Sequence, residues 1–422
     1  MSIYKTAFIG LTHMGYVCTV VWASLKQKIL AVDNKIDKSG KKYAYEKDFT
    51  RLLKKYKNNI SFSTDFQNIK NADTVFFAQD TKLSGKNRTN KLENHINKAL
   101  PYFKDHATII IMSQVPLGFC RRLEKQIQKK RPDLKFNLYH WVDTIIMTQA
   151  VDRVLHPERI IIGKTNKKHE LSNSLKSQLK LFNCPVVEMS FESAEITKAS
   201  INLFLANCVT YANTLSDFCE QFGADINDVA VALKMDKRIG PHSYLRPTLK
   251  IAGGHLERDL TMLAGLAKAN KIDSGVSKFI IDKNKKRYSW ATNKIKTYLP
   301  KNTKIAFWGL AYKKDSTSTE SAPSLDLIKS LSKRNKIISY DPMAIMPKKI
   351  KGYKRVKDKY KALENADCLL IVTEWDEFKN ININKIKRLM KNKLIIDCVG
   401  ILHDKQNGLK GFRYISMGVG TV

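Results

Sequence analysis

Short apolar segments alternate with longer amphipathic stretches in two regions of this 422-residue chain. That alternation is typical of strands joined by crossover helices, so each region is predicted to form a parallel sheet covered by helices. The strands predicted in the first region are Lys5–Ile9, Ile29–Asp33, Thr74–Ala78, Thr108–Met112, Phe136–Tyr139, Arg159–Gly163 and Pro185–Met189. Those predicted in the second region are Lys304–Gly309, Lys336–Asp341, Cys368–Val372 and Leu394–Asp397.

Between the two regions the apolar residues change to a helical period. From about Phe191 they fit one face of a long helix, at Ala194, Ile201, Leu205, Cys208, Val209, Ala212 and Leu215. A second helical block spans Leu260–Leu299 and ends before Pro300. The fold is therefore predicted to be α/β, with two parallel-sheet domains joined by a central helical region. The predicted domains are residues 1–190, 191–300 and 301–422.

Composition excludes several classes of protein. The 43% hydrophobic and 27% charged residues are near globular averages, although Lys and Arg exceed Asp and Glu by 35. Because the basic residues are spread along the chain, we expect a solvated basic surface or attraction to an anionic small molecule, with nucleic-acid binding unlikely. No apolar run approaches about 20 residues and no signal-peptide cleavage pattern follows the start, so a cytoplasmic location is expected. The seven scattered cysteines predict neither a disulfide framework nor a metal site.

A glycine-containing turn follows the first predicted strand. It runs from Gly10 to Gly15 and is followed by Asp33 at the end of the next strand, where a dinucleotide-binding fold places its phosphate turn and its ribose acid. Thr12 replaces the middle glycine, which crowds the approach of a pyrophosphate. Asp33 would accept hydrogen bonds from a ribose 2′-hydroxyl and repel a 2′-phosphate, so NAD is expected rather than NADP. The alternative is an ordinary tight turn.

Further motifs follow in a specific order along nearly the whole chain. They are Ser113–Gly118, Glu195–Lys198 with Asn202, Asp236–Gly240, Gly253–Asp259, Gly309–Asp315, Tyr340–Pro342 and Thr373–Phe378. With the Gly10–Gly15 turn and Asp33, this order resembles the UDP-glucose/GDP-mannose dehydrogenase family. The resemblance implies two Rossmann-like domains and a long central helix that pairs subunits into a homodimer. It also implies oxidation of the C6 hydroxyl of a nucleotide sugar, in the family a UDP-sugar for polysaccharide synthesis, to a carboxylate by two NAD molecules.

The resemblance assigns ligand-binding roles to individual positions. Those implied for NAD are Gly10, Thr12, Met14, Gly15, Asp33, Thr81 and Gln114. Those implied for the substrate are Asp143, Arg238, Gly253, Gly254, Tyr312 and Lys313. For catalysis it implies Lys198 and Asn202, which hold the reacting oxygen and a water, and Asp259, which passes protons through that water.

The chain departs from the family pattern at the catalytic nucleophile. The family's cysteine, which traps the aldehyde as a thiolate adduct, falls on His255 in one register and on Leu256 in the other, so neither restores a thiol. Three interpretations of His255 stay open: a general base, a substrate contact without chemistry, or a space-filling residue. Further departures are Met147 in place of an acid, Gln114 in place of a threonine and Glu320 in place of an arginine.

Two functions from different classes follow from this pattern. The first is an active NAD-dependent oxidoreductase whose four-electron chemistry is in question. The second is a catalytically silent binding or regulatory subunit that keeps both ligand sites. Binding of a polyanion through the basic surface is a third, weaker alternative.

Overall fold

The computed structural model describes residues 4–81, 89–252, 255–347 and 350–420. Its contacts divide the chain into two compact units, Met1–Ser200 and Ile201–Val422. The longest helix, Phe191–Phe222, begins in the first unit and continues into the second. The division into three domains at residues 190 and 300 stays a prediction.

The first unit alternates strands and helices, as predicted. Its strands are β1 (Thr6–Ile9), β2 (Ile29–Val32), β3 (Ile60–Ser63), β4 (Thr74–Phe77), β5 (Ala107–Ile111), β6 (Phe136–Trp141), β7 (Ile160–Lys164) and β8 (Val186–Ser190). Its helices are α1 (His13–Ser24), α2 (Phe49–Lys55), α3 (Asn90–Ala99), α4 (Phe119–Lys130), α5 (Ala150–Leu155), α6 (Asn173–Leu179) and the start of α7 (Phe191–Phe222).

These strands form one sheet in the order β3-β2-β1-β4-β5-β6-β7-β8. All neighbours are parallel except β6 and β7, which are antiparallel, so the predicted parallel sheet is confirmed apart from that pair. Strand β3 was missed because only Ile60 of its four residues is buried, which leaves no apolar run for the sequence to show.

The sheet is covered on both faces, and every residue of its central strands β1, β2, β4 and β5 is buried. Successive side chains point to opposite faces, and on one face Phe8 and Phe76 stack at 4.5 Å between ring centroids. Trp22 of α1 meets both rings edge-on, and its indole N–H donates to Gln178 at 2.7 Å. The opposite face is covered by α3 and α4. Burial on both faces is what a central parallel sheet requires.

The second unit contains the rest of α7, a group of helices that precedes a second sheet, and the sheet itself with the helices between its strands. The helices before the sheet are α8 (Ile226–Met235), α9 (His255–Ala269), α10 (Gly275–Arg287) and α11 (Ser289–Tyr298). The strands are β9 (Lys304–Trp308), β10 (Lys336–Tyr340), β11 (Tyr353–Arg355), β12 (Cys368–Ile371), β13 (Leu394–Asp397) and β14 (Arg413–Ser416). The helices between them are α12 (Pro323–Leu331), α13 (Lys359–Leu363), α14 (Asp376–Lys379) and α15 (Ile383–Leu389).

The second sheet is parallel throughout, in the order β11-β10-β9-β12-β13-β14. The four strands predicted in this region are confirmed and are its central ones. The outer strands β11 and β14 were missed, because they are short and only partly buried. The predicted helical block Leu260–Leu299 is three helices and starts earlier, at His255.

Helix α7 has a buried face and an exposed apolar face within the second unit. Ala206 and Val209 pack with Leu260 of α9 and Ile280 of α10 in a small core. Near the helix end, Glu220 accepts hydrogen bonds from the Trp290 indole at 2.7 Å and from the N–H of Gly418 at 2.9 Å. Within the described ranges, no helix combines the length and the apolarity that a membrane span needs.

In each sheet, the turn that follows the first strand passes close to the end of a neighbouring strand. The turn after β1 approaches the end of β4, and the turn after β9 approaches the end of β12. Gly309 has a φ of +98°, and a Cβ there would lie 2.5 Å from Cβ of Thr373. Gly10 has a φ of +92°, and its Cβ would lie 2.9 Å from Cα of Gln79. Only glycine combines this backbone conformation with so little space. Each turn therefore depends on its first glycine.

We expect Gly309→Ala to lower the free energy of unfolding by about 2–4 kcal/mol, because alanine disfavours the left-handed backbone and its Cβ overlaps Thr373. Urea unfolding monitored by tryptophan fluorescence measures this. Gly265→Ala is the matched control, because a Cβ there meets nothing within 4 Å in the middle of α9. It should raise stability by up to about 1 kcal/mol. Equal effects of both variants would contradict the explanation.

Candidate active site

The first part of the site is the turn between β1 and α1. A Cβ at Gly15 would lie 2.0 Å from the carbonyl oxygen of Gly10, so the absence of a side chain at Gly15 lets the start of α1 pack directly against the turn. Met14 is buried in the first turn of this helix. Such a glycine cradle before a helix N-terminus fits a dinucleotide, whose pyrophosphate binds there.

Asp33 lies where a ribose acid is expected, directly after β2. Its Oδ2 accepts a hydrogen bond from the Leu11 N–H at 2.7 Å, and its side chain is 16% exposed. The other oxygen, Oδ1, lies 3.7 Å from Nε2 of the buried His95. Burial, the first influence on His95, lowers the pKa of its imidazole. Asp33 therefore holds the turn with one oxygen, and the second remains the candidate contact for a ribose.

Thr12 is not strained by its position in the turn, since its φ is −85°. Its hydroxyl donates to the Ala78 carbonyl at 3.2 Å and accepts from the Asp80 N–H at 2.8 Å. The carboxylate of Asp80 accepts from the N–H of His13 at 3.1 Å. Thr12 thus joins the turn to the segment after β4. The sequence reasoning missed Asp80, although its position directly after a strand was a usable signal.

His13 is held by a buried carboxylate that the sequence reasoning also missed. Its Nε2 lies 2.7 Å from Oε1 of Glu46, which is 2% exposed. Glu46 accepts further hydrogen bonds from the N–H groups of Thr148 and Ala150, at 2.7 and 3.0 Å. Desolvation alone would raise the pKa of Glu46, but these bonds together lower it. Nothing in the sequence around residue 46 predicts this contact.

The other predicted residues of the first unit meet in two pairs. The Thr81 hydroxyl donates to the Gln114 carbonyl at 2.8 Å, which joins the segments after β4 and β5. Lys198 of α7 donates to the carbonyl oxygen of Asp143 at 2.5 Å, after β6. The buried His140 donates from Nδ1 to the Ile111 carbonyl, and burial lowers its pKa to about 4. His140 is therefore neutral at physiological pH.

Glu195 orients the start of α7 in the first unit. Its carboxylate is buried and accepts from the N–H groups of Gly118 and Cys120, the latter at 2.8 Å. These are the free donors at the N-terminus of α4. Burial raises the pKa of Glu195 despite those bonds. Because Lys198 lies one turn further along α7, this contact helps to set the position of Lys198.

In the second unit the predicted Asn202 and Asp259 are in direct contact. The Asn202 amide donates to Asp259 Oδ2 at 2.5 Å, and Asp259 is 1% exposed. Arg258, also buried, donates from Nε to Oδ1 of Asp259 at 3.1 Å. Asn284 of α10 accepts from the N–H of Ile251 at 2.6 Å and fixes the segment that leads into α9. Asn202 and Asp259, 57 residues apart in sequence, are thus brought together as the resemblance implied.

The region of the missing nucleophile is only partly described. Gly253 and Gly254 lie outside the described residues, and His255 begins α9 with a side chain that also lies outside them. All seven cysteines are free. Desolvation raises the pKa of every one of them, at Cys18, Cys120, Cys184, Cys208, Cys219, Cys368 and Cys398. A nucleophilic cysteine needs a lowered pKa, so none of these thiols has that property.

The remaining predicted substrate residues lie in the second unit. Tyr312 follows β9, its N–H donates to the Ser318 carbonyl at 3.1 Å, and Lys313 stands over its ring. Below them Asp341 is fully buried and accepts from the N–H groups of Leu310 and Ala311. Arg238 is not part of this group, because its 89% exposed side chain forms an ion pair with Asp236.

No cluster of three or more His, Cys, Asp or Glu side chains suited to a metal ion occurs in the described ranges. The first unit has a glycine turn of the dinucleotide-binding type, and the second unit has a buried Asn–Asp pair at positions that the family resemblance assigns to catalysis. Comparison with known proteins assigns the chain to the NAD-dependent dehydrogenases.

Three sequence profiles of the UDP-glucose/GDP-mannose dehydrogenase family match the chain in order. They are the NAD binding domain at residues 4–182, the central domain at 192–286 and the UDP binding domain at 306–404. The UDP-glucose 6-dehydrogenase of Rickettsia bellii is 30% identical over 97% of this chain and 98% of its own length. TuaD, the UDP-glucose 6-dehydrogenase of Bacillus subtilis, is 27% identical over 98% of this chain and 93% of its own length.

Solved structures agree on the fold. A UDP-glucose dehydrogenase from Pyrobaculum islandicum gives a TM-score of 0.84 at 18% identity, covering 100% of this chain and 98% of that one. A UDP-D-ManNAc dehydrogenase from Pyrococcus horikoshii gives 0.83 at 21% identity, covering 98% and 99%. The chain belongs to the UDP-glucose/GDP-mannose dehydrogenase family. It is an NAD-dependent nucleotide-sugar dehydrogenase, and this membership does not favour the silent-subunit alternative.

We expect Glu46→Gln to lower the free energy of unfolding by about 1–3 kcal/mol at pH 7, because it weakens three hydrogen bonds to a buried carboxylate. A lowered pKa means that ionised Glu46 stabilises the fold above its unfolded pKa of about 4.3. That contribution disappears as the pH falls through the lower pKa of the folded state. The difference from the wild type should therefore shrink below about pH 4.

Urea unfolding at several pH values measures this difference. Glu158→Gln is the control, because Glu158 is 62% exposed and pairs with Arg153 on the surface. It should change stability by less than about 1 kcal/mol. A Glu46→Gln effect that is constant from pH 3 to pH 7 would contradict the assignment.

Proposed function

We propose that the protein oxidises the C6 hydroxyl of a UDP-sugar, with UDP-glucose as the first substrate to test. The buried hydrogen bond between Asn202 and Asp259 carries this proposal, since it joins two residues that the family resemblance assigns to the reaction and that lie 57 positions apart in the sequence. Support also comes from the relatives: the UDP-glucose 6-dehydrogenases of Rickettsia bellii and Bacillus subtilis match almost the whole chain.

We assign the cofactor contacts to the first unit. Gly10, Thr12, Met14 and Gly15 would surround the pyrophosphate at the start of α1, and Asp33 would bind the ribose. Thr81 and Gln114, which are joined by a hydrogen bond, would line the continuation of this cleft. When bound, NAD accepts the hydride that leaves the sugar.

Three side chains have separate roles in the first oxidation. The Lys198 ammonium would stabilise the oxygen of the reacting alcohol as its proton leaves. Asn202 would orient a water, and the carboxylate of Asp259 would accept the proton through it. The alcohol thereby becomes an aldehyde, with one proton and one hydride removed. For the nucleotide sugar we carry over the family assignment of Asp143 in the first unit and of Tyr312, Lys313 and the Gly253–Gly254 pair in the second. Arg238 is left out, because its exposed side chain pairs with Asp236.

The second oxidation lacks its usual nucleophile. An aldehyde must first become a tetrahedral adduct before it can release a hydride, and no thiol stands at residue 255 or 256. Burial raises the pKa of all seven cysteines, which argues against a thiolate from elsewhere in the chain. Water must then form the adduct as a hydrate, with His255 as a candidate base. We therefore propose a fast first oxidation and a slow or absent second one.

We expect close to one NADH per UDP-glucose consumed in the fast phase, with aldehyde trapped by a hydroxylamine reagent. Lys198→Ala should abolish NADH formation, because the developing alkoxide loses its counter-charge. Lys176→Ala, at a half-exposed lysine of α6, should have no effect. Absorbance at 340 nm and product analysis provide the measurements. Two NADH per sugar at one rate, or a thioester on any cysteine, would refute the proposed stoichiometry.

We further propose a homodimer formed through α7. Its exposed apolar side chains recur every seven residues at Phe204, Tyr211 and Phe218, which are 65%, 52% and 58% exposed. The partly buried Cys208 and Leu215 lie between them, in the 4-3 spacing of a helix pair. Such a stripe suits a second copy of the same helix. We place the enzyme in the cytoplasm, in keeping with seven unpaired thiols.

We expect light scattering to give about twice the 48.2 kDa chain mass at micromolar concentration. The double variant Phe204→Glu/Phe218→Glu should give the monomer mass, since it places like charges along the stripe. Ile345→Glu is the control, because Ile345 is 65% exposed but lies in a loop of the second sheet. A wild-type monomer, or a double variant that remains dimeric, would contradict this interface.

A further inference from the structure

The start of α1 already carries an anion from the protein itself. The carboxylate of Asp80 accepts a hydrogen bond from the N–H of His13, the first residue of that helix, at 3.1 Å. Free N–H groups and the helix dipole attract negative charge to this position. It is also the position at which the proposed site holds the cofactor pyrophosphate.

Thr12 keeps Asp80 at this place. The Thr12 hydroxyl accepts from the Asp80 N–H at 2.8 Å and donates to the Ala78 carbonyl at 3.2 Å. A glycine at residue 12 could make neither bond. The side chain that departs from the dinucleotide pattern thus fixes the backbone of the acidic residue next to the helix start.

The charges around Asp80 disfavour the binding of a second anion. Asp80 is exposed to solvent, yet partial desolvation by the surrounding protein raises the pKa of its carboxyl. His13 acts in the opposite direction, and Asp143 adds a further like charge. His13 is itself paired with Glu46. The N–H of Leu11, another donor of the turn, is already taken by Asp33.

We propose that Asp80 sets the affinity for the cofactor by occupying the pyrophosphate position at the start of α1. NAD then binds as this carboxylate is displaced or protonated. The inference rests on the proposed cofactor site. It makes Asp80 a residue that weakens binding of any ligand with a phosphate at this place, and it gives Thr12 the role of holding Asp80.

The experiment measures dissociation constants by calorimetry on the full chain with three probes: NAD, ADP-ribose and adenosine. Asp80→Asn should bind NAD and ADP-ribose about tenfold more tightly or better, because the repulsion between two anions is removed. Adenosine has no phosphate, so its binding should not change. Thr12→Gly should strengthen NAD binding in the same direction, and its effect should fall sharply when Asp80 is already Asn.

The matched control is Asp133→Asn. It removes the same charge from the first unit, but at the opposite edge of the sheet, since Asp133 precedes β6 whereas Asp80 follows β4. It should leave all three constants unchanged. Wild-type affinity for NAD should also rise as the pH falls through the pKa of Asp80. Asp80→Asn should lack that component.

Two results would overturn the inference. Weaker NAD binding by Asp80→Asn would show that Asp80 accepts a hydrogen bond from the cofactor, and unchanged binding would show that its carboxylate lies clear of the pyrophosphate. In both cases the cofactor site itself would stand, because NAD still binds. Failure of the wild type and of both variants to bind NAD and ADP-ribose would refute the proposed site together with the inference.

Discussion

Both sheets depend on the same close passage, where the chain leaves its first strand and crosses the end of a neighbouring one. There is no space for a Cβ at Gly10 against Gln79, or at Gly309 against Thr373. In each sheet an aspartate at the end of the second strand accepts a backbone N–H of the turn, Asp33 from Leu11 and Asp341 from Leu310. The turn can then stay open over the carboxyl ends of the strands, where α/β proteins bind nucleotides.

The aspartates of the two turns have different roles. Asp341 is fully buried and also accepts from the N–H groups of Met343 and Ala344, so both of its oxygens serve the fold. Asp33 gives one oxygen to the turn and keeps a partly exposed one beside His95. One geometry thus provides a structural acid in the second sheet and an acid available to a ligand in the first.

The central strands and the order of the motifs were readable from the sequence, because buried parallel strands are continuous apolar runs. Strands β3, β11 and β14 were not, since these three short edge strands contain no continuous apolar run, whereas the edge strand β8 begins with two valines. Asn202 and Asp259 could be paired only through the family resemblance, because no local rule joins residues 57 positions apart. The contact of Glu46 with His13 had no signal at all, since a hydrogen bond between residues far apart in sequence depends on where a loop returns in space.

That contact carries an evolutionary consequence. Glu46 is enclosed, and three donors offset its charge: the imidazole of His13 and two backbone N–H groups. The backbone donors persist whatever the side chains become, whereas the imidazole is lost with any change at residue 13. Such a change leaves a carboxylate short of one partner in the interior, and a change at residue 46 leaves the imidazole without its anchor. Among relatives of this chain, the two positions should therefore covary, although 33 residues separate them.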